Sequence, residues 1–169
     1  MSESSYFVAR LGQTVFVRSV GLANMKNAPM LDSFLREAVG QGASLVCVDL
    51  SACSGMDSTF MGLLVGFSQE LVRTRGQLVV VNPTTQNLRL LDMLGVSAVL
   101  PVIAQVEPAA LEFVVIPGNP SVSPAQRMDI VRRAHQHLIG LNAENEAKFS
   151  AFLQALEGDL AKRRAHQQG

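Results

Sequence analysis

The 169 residues fit one ordinary domain with a modest extension and leave too little chain for two complete large domains. With 48% apolar and 17% charged residues, the chain can bury enough apolar surface to offset its ordering entropy, which excludes disorder as a resting state. Fourteen basic residues balance fourteen acidic ones, so no overall field draws the protein to nucleic acid or to an anionic membrane.

The longest apolar stretch, Phe60 to Phe67, contains two glycines and falls far short of the roughly 20 residues a bilayer span needs. Met1-Ser2-Glu3-Ser4-Ser5 has no basic segment followed by an apolar one, so no secretory signal is read and a cytoplasmic location is expected. Cys47 and Cys53 lack CxxC spacing and read as buried or partly buried free thiols.

In chain order, Tyr6–Leu11 and Thr14–Val20 are β-rich segments joined by Gly12-Gln13, the pattern of a hairpin. Asn27 can cap a helix with Pro29 in its first turn and Leu31, Phe34, Leu35 and Ala38 at helical spacing, stopped by Gly40 and Gly42. Leu45–Leu50 is a continuous apolar run broken only by Asp49, which predicts the central strand of a sheet buried on both faces. Asp57 or Ser58 can cap a second helix to about Thr74, Gly76 stops it, and Leu78–Val81 is another buried strand. Thr84 or Thr85 caps a third helix ending at Gly95, and a last strand is expected near Val99 to Ile103. The order ββαβαβαβ predicts an α/β domain with a mixed sheet of about five strands.

Val114–Pro120 is turn-rich and marks a boundary, so residues 1–115 are expected to form the α/β domain and 116–169 a helical extension. Ser123, Pro124 and Gln126 supply a cap, a first-turn proline and a capping-box glutamine, and Asn142 can cap a second helix, so 124–165 reads as a helical hairpin. Lys162-Arg163-Arg164 reads as a solvated helix end.

A search for chemistry finds little. GxxxxGK[ST], GxGxxG and GxSxG are all absent. His135, His137 and His166 lie in the tail, where residues two apart do not share a helix face, and they read as solvated helix histidines. Neither a metal, a cofactor nor an enzymatic activity is expected.

The informative segment runs from Asp49-Leu50-Ser51 to Asp57-Ser58-Thr59. It resembles the STAS domain family, anti-sigma factor antagonist type, in which a strand ending Asp-Leu-Ser is followed by Asp-Ser-[Ser/Thr] at a helix start. The resemblance continues through Gly76–Pro83 and Leu90–Val96, covers about residues 6–105 and leaves the tail outside. One departure is Phe60, where the family often has glycine; a glycine returns only at Gly62. The resemblance implies a STAS-like sheet and a bacterial, non-enzymatic regulator, with Ser58 phosphorylated by a partner anti-sigma factor that is a serine kinase, and Thr59 as the alternative acceptor. Asp57, Ser58, Thr59, Phe60 and Met61 are the expected partner-binding residues, and a phosphatase would reverse the mark. The alternative the family offers is a scaffold subunit of a transporter or larger signalling assembly, with no phosphoryl switch.

From the residues alone, Asp57-Ser58 is also an ordinary helix cap, a role compatible with phosphorylation. The helix that follows is apolar nearly all round, more than one stripe requires, so either the tail hairpin or a partner covers its spare face. Gly62 and Gly66 allow close backbone approach on one side, ordinarily for packing on a sheet. The hairpin could fold back on the domain, serve as a docking arm, or pair with a second copy as a homodimer.

Overall fold

The computed structural model describes residues 4–107, 110–118 and 121–168; Met1–Glu3 and Asn119-Pro120 of the sequence reading lie outside them. β1 (Ser5–Leu11) and β2 (Thr14–Ala23) form the predicted hairpin, turning at Gly12 with φ 62°. α1 (Ala28–Gly40), β3 (Leu45–Met56), α2 (Ser58–Arg73), β4 (Gln77–Val81) and α3 (Thr85–Met93) follow. A 3₁₀ turn at Val96–Ala98 precedes β5 (Val102–Ile103), β6 (Val114–Val115), α4 (Pro124–Ile139) and α5 (Ala143–Gln168). The sheet order is β5-β4-β3-β2-β1-β6, with β2, β3, β4 and β5 mutually parallel and β1 antiparallel to both neighbours.

Six strands replace the expected five or so. The sixth, β6, is a two-residue pairing of Val114 and Val115 with Val8 and Phe7, too short to leave a period in the sequence. The first half of the last strand expected near Val99–Ile103 is taken up by the end of the 3₁₀ turn, so only Val102 and Ile103 pair. A larger difference is the length of β3, which continues past Leu50 through Ser51–Met56. Those mostly small residues carry weak β-propensity, yet Ala52, Cys53, Gly55 and Met56 pair with Val20–Ala23 across two register shifts. The segment joining strand and helix is therefore itself strand, and β3 delivers the chain directly to Asp57.

Alternation along the strands sends Val15, Val17, Val46, Val48, Leu78 and Val80 to one face, where they share a core with Leu31 and Leu35 of α1 and with Phe60, Leu64 and Leu71 of α2. Phe16, Arg18, Cys47 and Asp49 point to the opposite, half-buried face, where Arg18 lies 3.8 Å from Asp49 and 4.2 Å from the Phe113 ring centroid. The tail is a helical hairpin that folds back: α4 packs on α2, and α5 packs on α4. Ser123 and Gln126 form the predicted capping box, and Asn142 Oδ1 accepts from the Asn145 amide at 2.8 Å. Among the described residues no helix is long and apolar enough to cross a membrane.

Candidate functional site

The site begins at the cap of α2. Asp57 is the N-cap residue, and its Oδ1 accepts from the Phe60 amide at 3.0 Å while Oδ2 accepts from the Met25 amide at 2.9 Å. One carboxylate thus satisfies a helix-terminal donor and holds the β2–α1 loop beside the helix start. Asn27 fixes that loop: its Oδ1 accepts from the Tyr6 hydroxyl at 2.6 Å and from the Asn24 amide at 3.0 Å, and its Nδ2 donates to the Leu22 carbonyl at 2.7 Å. The expected capping role of Asn27 for α1 is replaced by this one, since its side chain makes no cap hydrogen bond. Tyr6 is buried and stacks on Phe60 at 6.4 Å; burial, with the Cys53 and Asp57 charges adding, pushes its phenol well above the ordinary range. It remains a neutral donor.

Ser58 is the first residue of α2 and half-buried. Its Oγ lies 2.8 Å from Nε2 of His135, which arrives from α4 across 77 positions of sequence. His135 Nδ1 stands 2.7 Å from the Val131 carbonyl oxygen, an acceptor only, so Nδ1 carries the proton. The neutral ring therefore presents a bare Nε2, and the Ser58 hydroxyl donates to it. Burial pushes the imidazole below its ordinary pKa; the Val131 hydrogen bond and the Asp57 charge pull the other way without overcoming it. Phe149 and Phe152 of α5 close around the ring at 5.1 and 4.8 Å between centroids.

Two sequence expectations need correction. His135 is 3% exposed and is not a solvated helix histidine, because α4 turns that face onto α2 rather than to water. Of the five expected contact residues, Thr59, Phe60 and Met61 are at most 3% exposed, packed between the sheet, α1 and α4, so only Asp57 and Ser58 keep solvent access. Thr59, at 2%, is also closed to a kinase in this conformation. The surplus apolar face of α2 is covered by the hairpin, one of the two alternatives the sequence left open.

Residues that sequence reasoning did not single out complete the surroundings. Met25 and Leu22 are 47% and 51% exposed on the loop and strand end beside Asp57, an apolar fringe next to the acceptor. Ala134 of α4 presses against Gly62, and the spacing of Ser58, Gly62 and Gly66 at i, i+4 and i+8 was the available signal for a helix packing there. A serine hydroxyl at a helix N-terminus can take a phosphoryl group once it is released from the histidine. Among the described residues no cluster of three or more histidine, cysteine or acidic side chains is placed to hold a metal.

The fold matches solved anti-sigma factor antagonists. SpoIIAA in its unphosphorylated form is 21% identical over 61% of this chain and 90% of its own, with a TM-score of 0.56. The phosphorylated form of SpoIIAA, described as a Bacillus cell fate determinant, gives 21%, 61%, 93% and 0.53. An anti-sigma factor antagonist from Mycobacterium paratuberculosis gives 21%, 60%, 86% and 0.54. No curated protein sequence matches the chain. The STAS domain family model matches residues 8–109, which run from β1 past β5 and contain the Asp57-Ser58 cap, while α4 and α5 lie beyond it. On that match, the chain belongs to the STAS domain family.

Proposed function

We propose that this protein is a non-enzymatic, phosphorylation-switched regulator of the anti-sigma factor antagonist type, working in a bacterial cytosol. It binds an anti-sigma factor that is also a serine kinase while Ser58 carries a free hydroxyl, and lets go once Ser58 is phosphorylated, with a phosphatase resetting it. The observation that carries this reading is the place of Ser58: first residue of α2, directly after β3 and its capping Asp57, beside the exposed Leu22 and Met25. Structures similar to this one include both the unphosphorylated and the phosphorylated form of SpoIIAA, which supports it.

A phosphoserine adds about −1.5 to −2 charge at neutral pH, here next to the Asp57 carboxylate. In a desolvated interface that charge repels acidic groups and loses hydration. If the cost is about 3 kcal/mol, affinity falls by roughly two orders of magnitude, enough to empty a micromolar complex. The test is incubation with ATP and the cognate kinase. Wild type should gain one phosphate and Ser58→Ala none, while Ser58→Asp should fail to hold the kinase. Phosphate found only at other residues overturns the assignment.

The seated hairpin favours one second reading, a scaffold subunit with permanent contacts. A scaffold copurifies with its assembly in fixed ratio whatever residue stands at 58, and a switch does not.

A further inference from the structure

Ser58 is partly covered by a part of the chain that lies outside the STAS match. α4 runs over the stripe formed by Ser58, Gly62 and Gly66. A Cβ built at Gly62 would stand 2.2 Å from the Ala134 carbonyl oxygen and 2.8 Å from its Cα, so the two helix backbones touch there. One turn earlier on α2, His135 takes the Ser58 hydroxyl hydrogen bond. Polar ties flank the seat: Arg127 donates to the Lys26 carbonyl at 3.3 Å, and Arg133 meets Asp32 of α1 at 3.3 Å.

We propose that the α4–α5 hairpin is an intramolecular cover for the acceptor end of α2, latched by the Ser58–His135 hydrogen bond. Seated, it withholds Ser58 from an incoming active site; lifted, it frees the hydroxyl. The chemistry of transfer makes the latch and the modification exclusive. When the γ-phosphoryl of ATP passes to Oγ, the bond to ADP breaks, ADP keeps the electron pair, and the hydroxyl proton passes to a base of the incoming kinase. That proton is the one now donated to Nε2. Oγ has then lost the only hydrogen it could donate, and the 2.8 Å between Oγ and Nε2 has no room for a phosphoryl group, so phosphorylation breaks the seated contact and unlatches the cover. Linkage makes this reciprocal: the factor by which a seated hairpin disfavours phosphorylation is the factor by which phosphate disfavours seating. Only this last part rests on Ser58 being the acceptor in the cell; the cover itself does not.

The test therefore has an arm without any kinase. In the full chain, Ser58→Cys is treated with iodoacetamide and alkylation at position 58 is followed by peptide mass spectrometry. The rate should rise about tenfold when Gly62→Ala is added, because the new methyl collides with the α4 backbone, and it should rise less with His135→Ala, which removes the latch and leaves the backbone contact. Amide exchange in β3 and β4 reports whether the sheet stays folded, and His135→Ala, which only deletes atoms, stands in if Gly62→Ala disturbs it. Rates are compared above the thiol's pKa, where loss of the imidazole no longer changes the thiolate fraction, and a thiol at 58 that there reacts equally fast in the parent and in His135→Ala overturns the cover. In the second arm, the kinase should phosphorylate His135→Ala faster than wild type. If no variant accepts phosphate while the thiol arm behaves as expected, the switch reading fails and the cover stands.

Discussion

At Ser58 one proton decides the arrangement. The His135 tautomer is fixed by the Val131 carbonyl at 2.7 Å, so Nε2 can only accept, and the Ser58 hydroxyl is its donor. Burial lowers the imidazole pKa, with Asp57 the charged group acting against it and the Phe149 and Phe152 rings facing it from α5. An unfolded chain takes up its imidazole proton near pH 6.5, about the ordinary value, and the folded chain only at lower pH. The unfolded state then binds more protons just below that value, so stability tied to the neutral ring is present above it and drains as pH falls. The thermal midpoint of the wild type should drop on going from about pH 7.5 to about pH 5.5, and His135→Leu should drop less. Part of the slope will remain, because His137 is shifted the same way by burial and by Arg133. Equal slopes in the two proteins would mean that His135 takes up its proton at the same pH folded and unfolded, and a smaller drop in the wild type would mean that the folded ring already carries it. None of this was legible locally. A cap at Asp57 or Ser58 follows from residue type, whereas the choice of Asp57 came from the structure and the histidine partner depends on a docking that no short window of sequence contains.

The element that matters most is α2, and its two glycines do different things. At Gly62 an added methyl meets Ala134 backbone atoms, which cannot move without shifting α4. At Gly66 it would meet the His137 ring at 2.7 Å, the far end of a side chain that can rotate. Gly66→Ala should therefore be nearly neutral in urea unfolding, because the helix-propensity gain of up to about 1 kcal/mol offsets the ring's displacement. Gly62→Ala should lose about 2 kcal/mol or more through overpacking. Similar losses at both sites would place α4 elsewhere than on this stripe. The two glycines had suggested close approach to the sheet, the commoner use; here the approach is helix to helix. Strand β3 teaches the complementary lesson: its apolar run announced Leu45–Leu50, but Ser51–Met56 is strand because β2 is there to pair with it. α4, by contrast, starts where its residues say. Its capping box puts the Ser123 hydroxyl 3.1 Å from the Gln126 amide nitrogen, and Ser123→Ala should cost about 1 kcal/mol, read as faster amide exchange confined to the first turn of α4.

Across the whole molecule, the sheet and the hairpin share a core without being equally bound to it. Ile130 and Leu138 of α4 belong to the buried cluster of the sheet, each contributing about 2 kcal/mol before ordering costs, and Asn145 of α5 donates to the Leu94 and Leu138 carbonyls at 2.8 Å. Beyond Asn145, α5 buries only Leu160 among its described side chains, and Phe152 is 47% exposed. The capping and the apolar stripes made the hairpin readable as a hairpin, but where it docks is set by contacts between segments far apart in sequence. Stability should accordingly fall in three tiers. Amides of β3 and β4 should exchange only on global unfolding, those of α4 through a separate opening of lower free energy, and those in the second half of α5 fastest. Native-state exchange in rising, sub-denaturing urea separates the tiers, and His135→Ala should lower the second while leaving the first in place. If instead α4 merges with β3 and β4 at every denaturant concentration, hairpin and sheet open only together. A cover that cannot lift without unfolding the domain cannot gate Ser58.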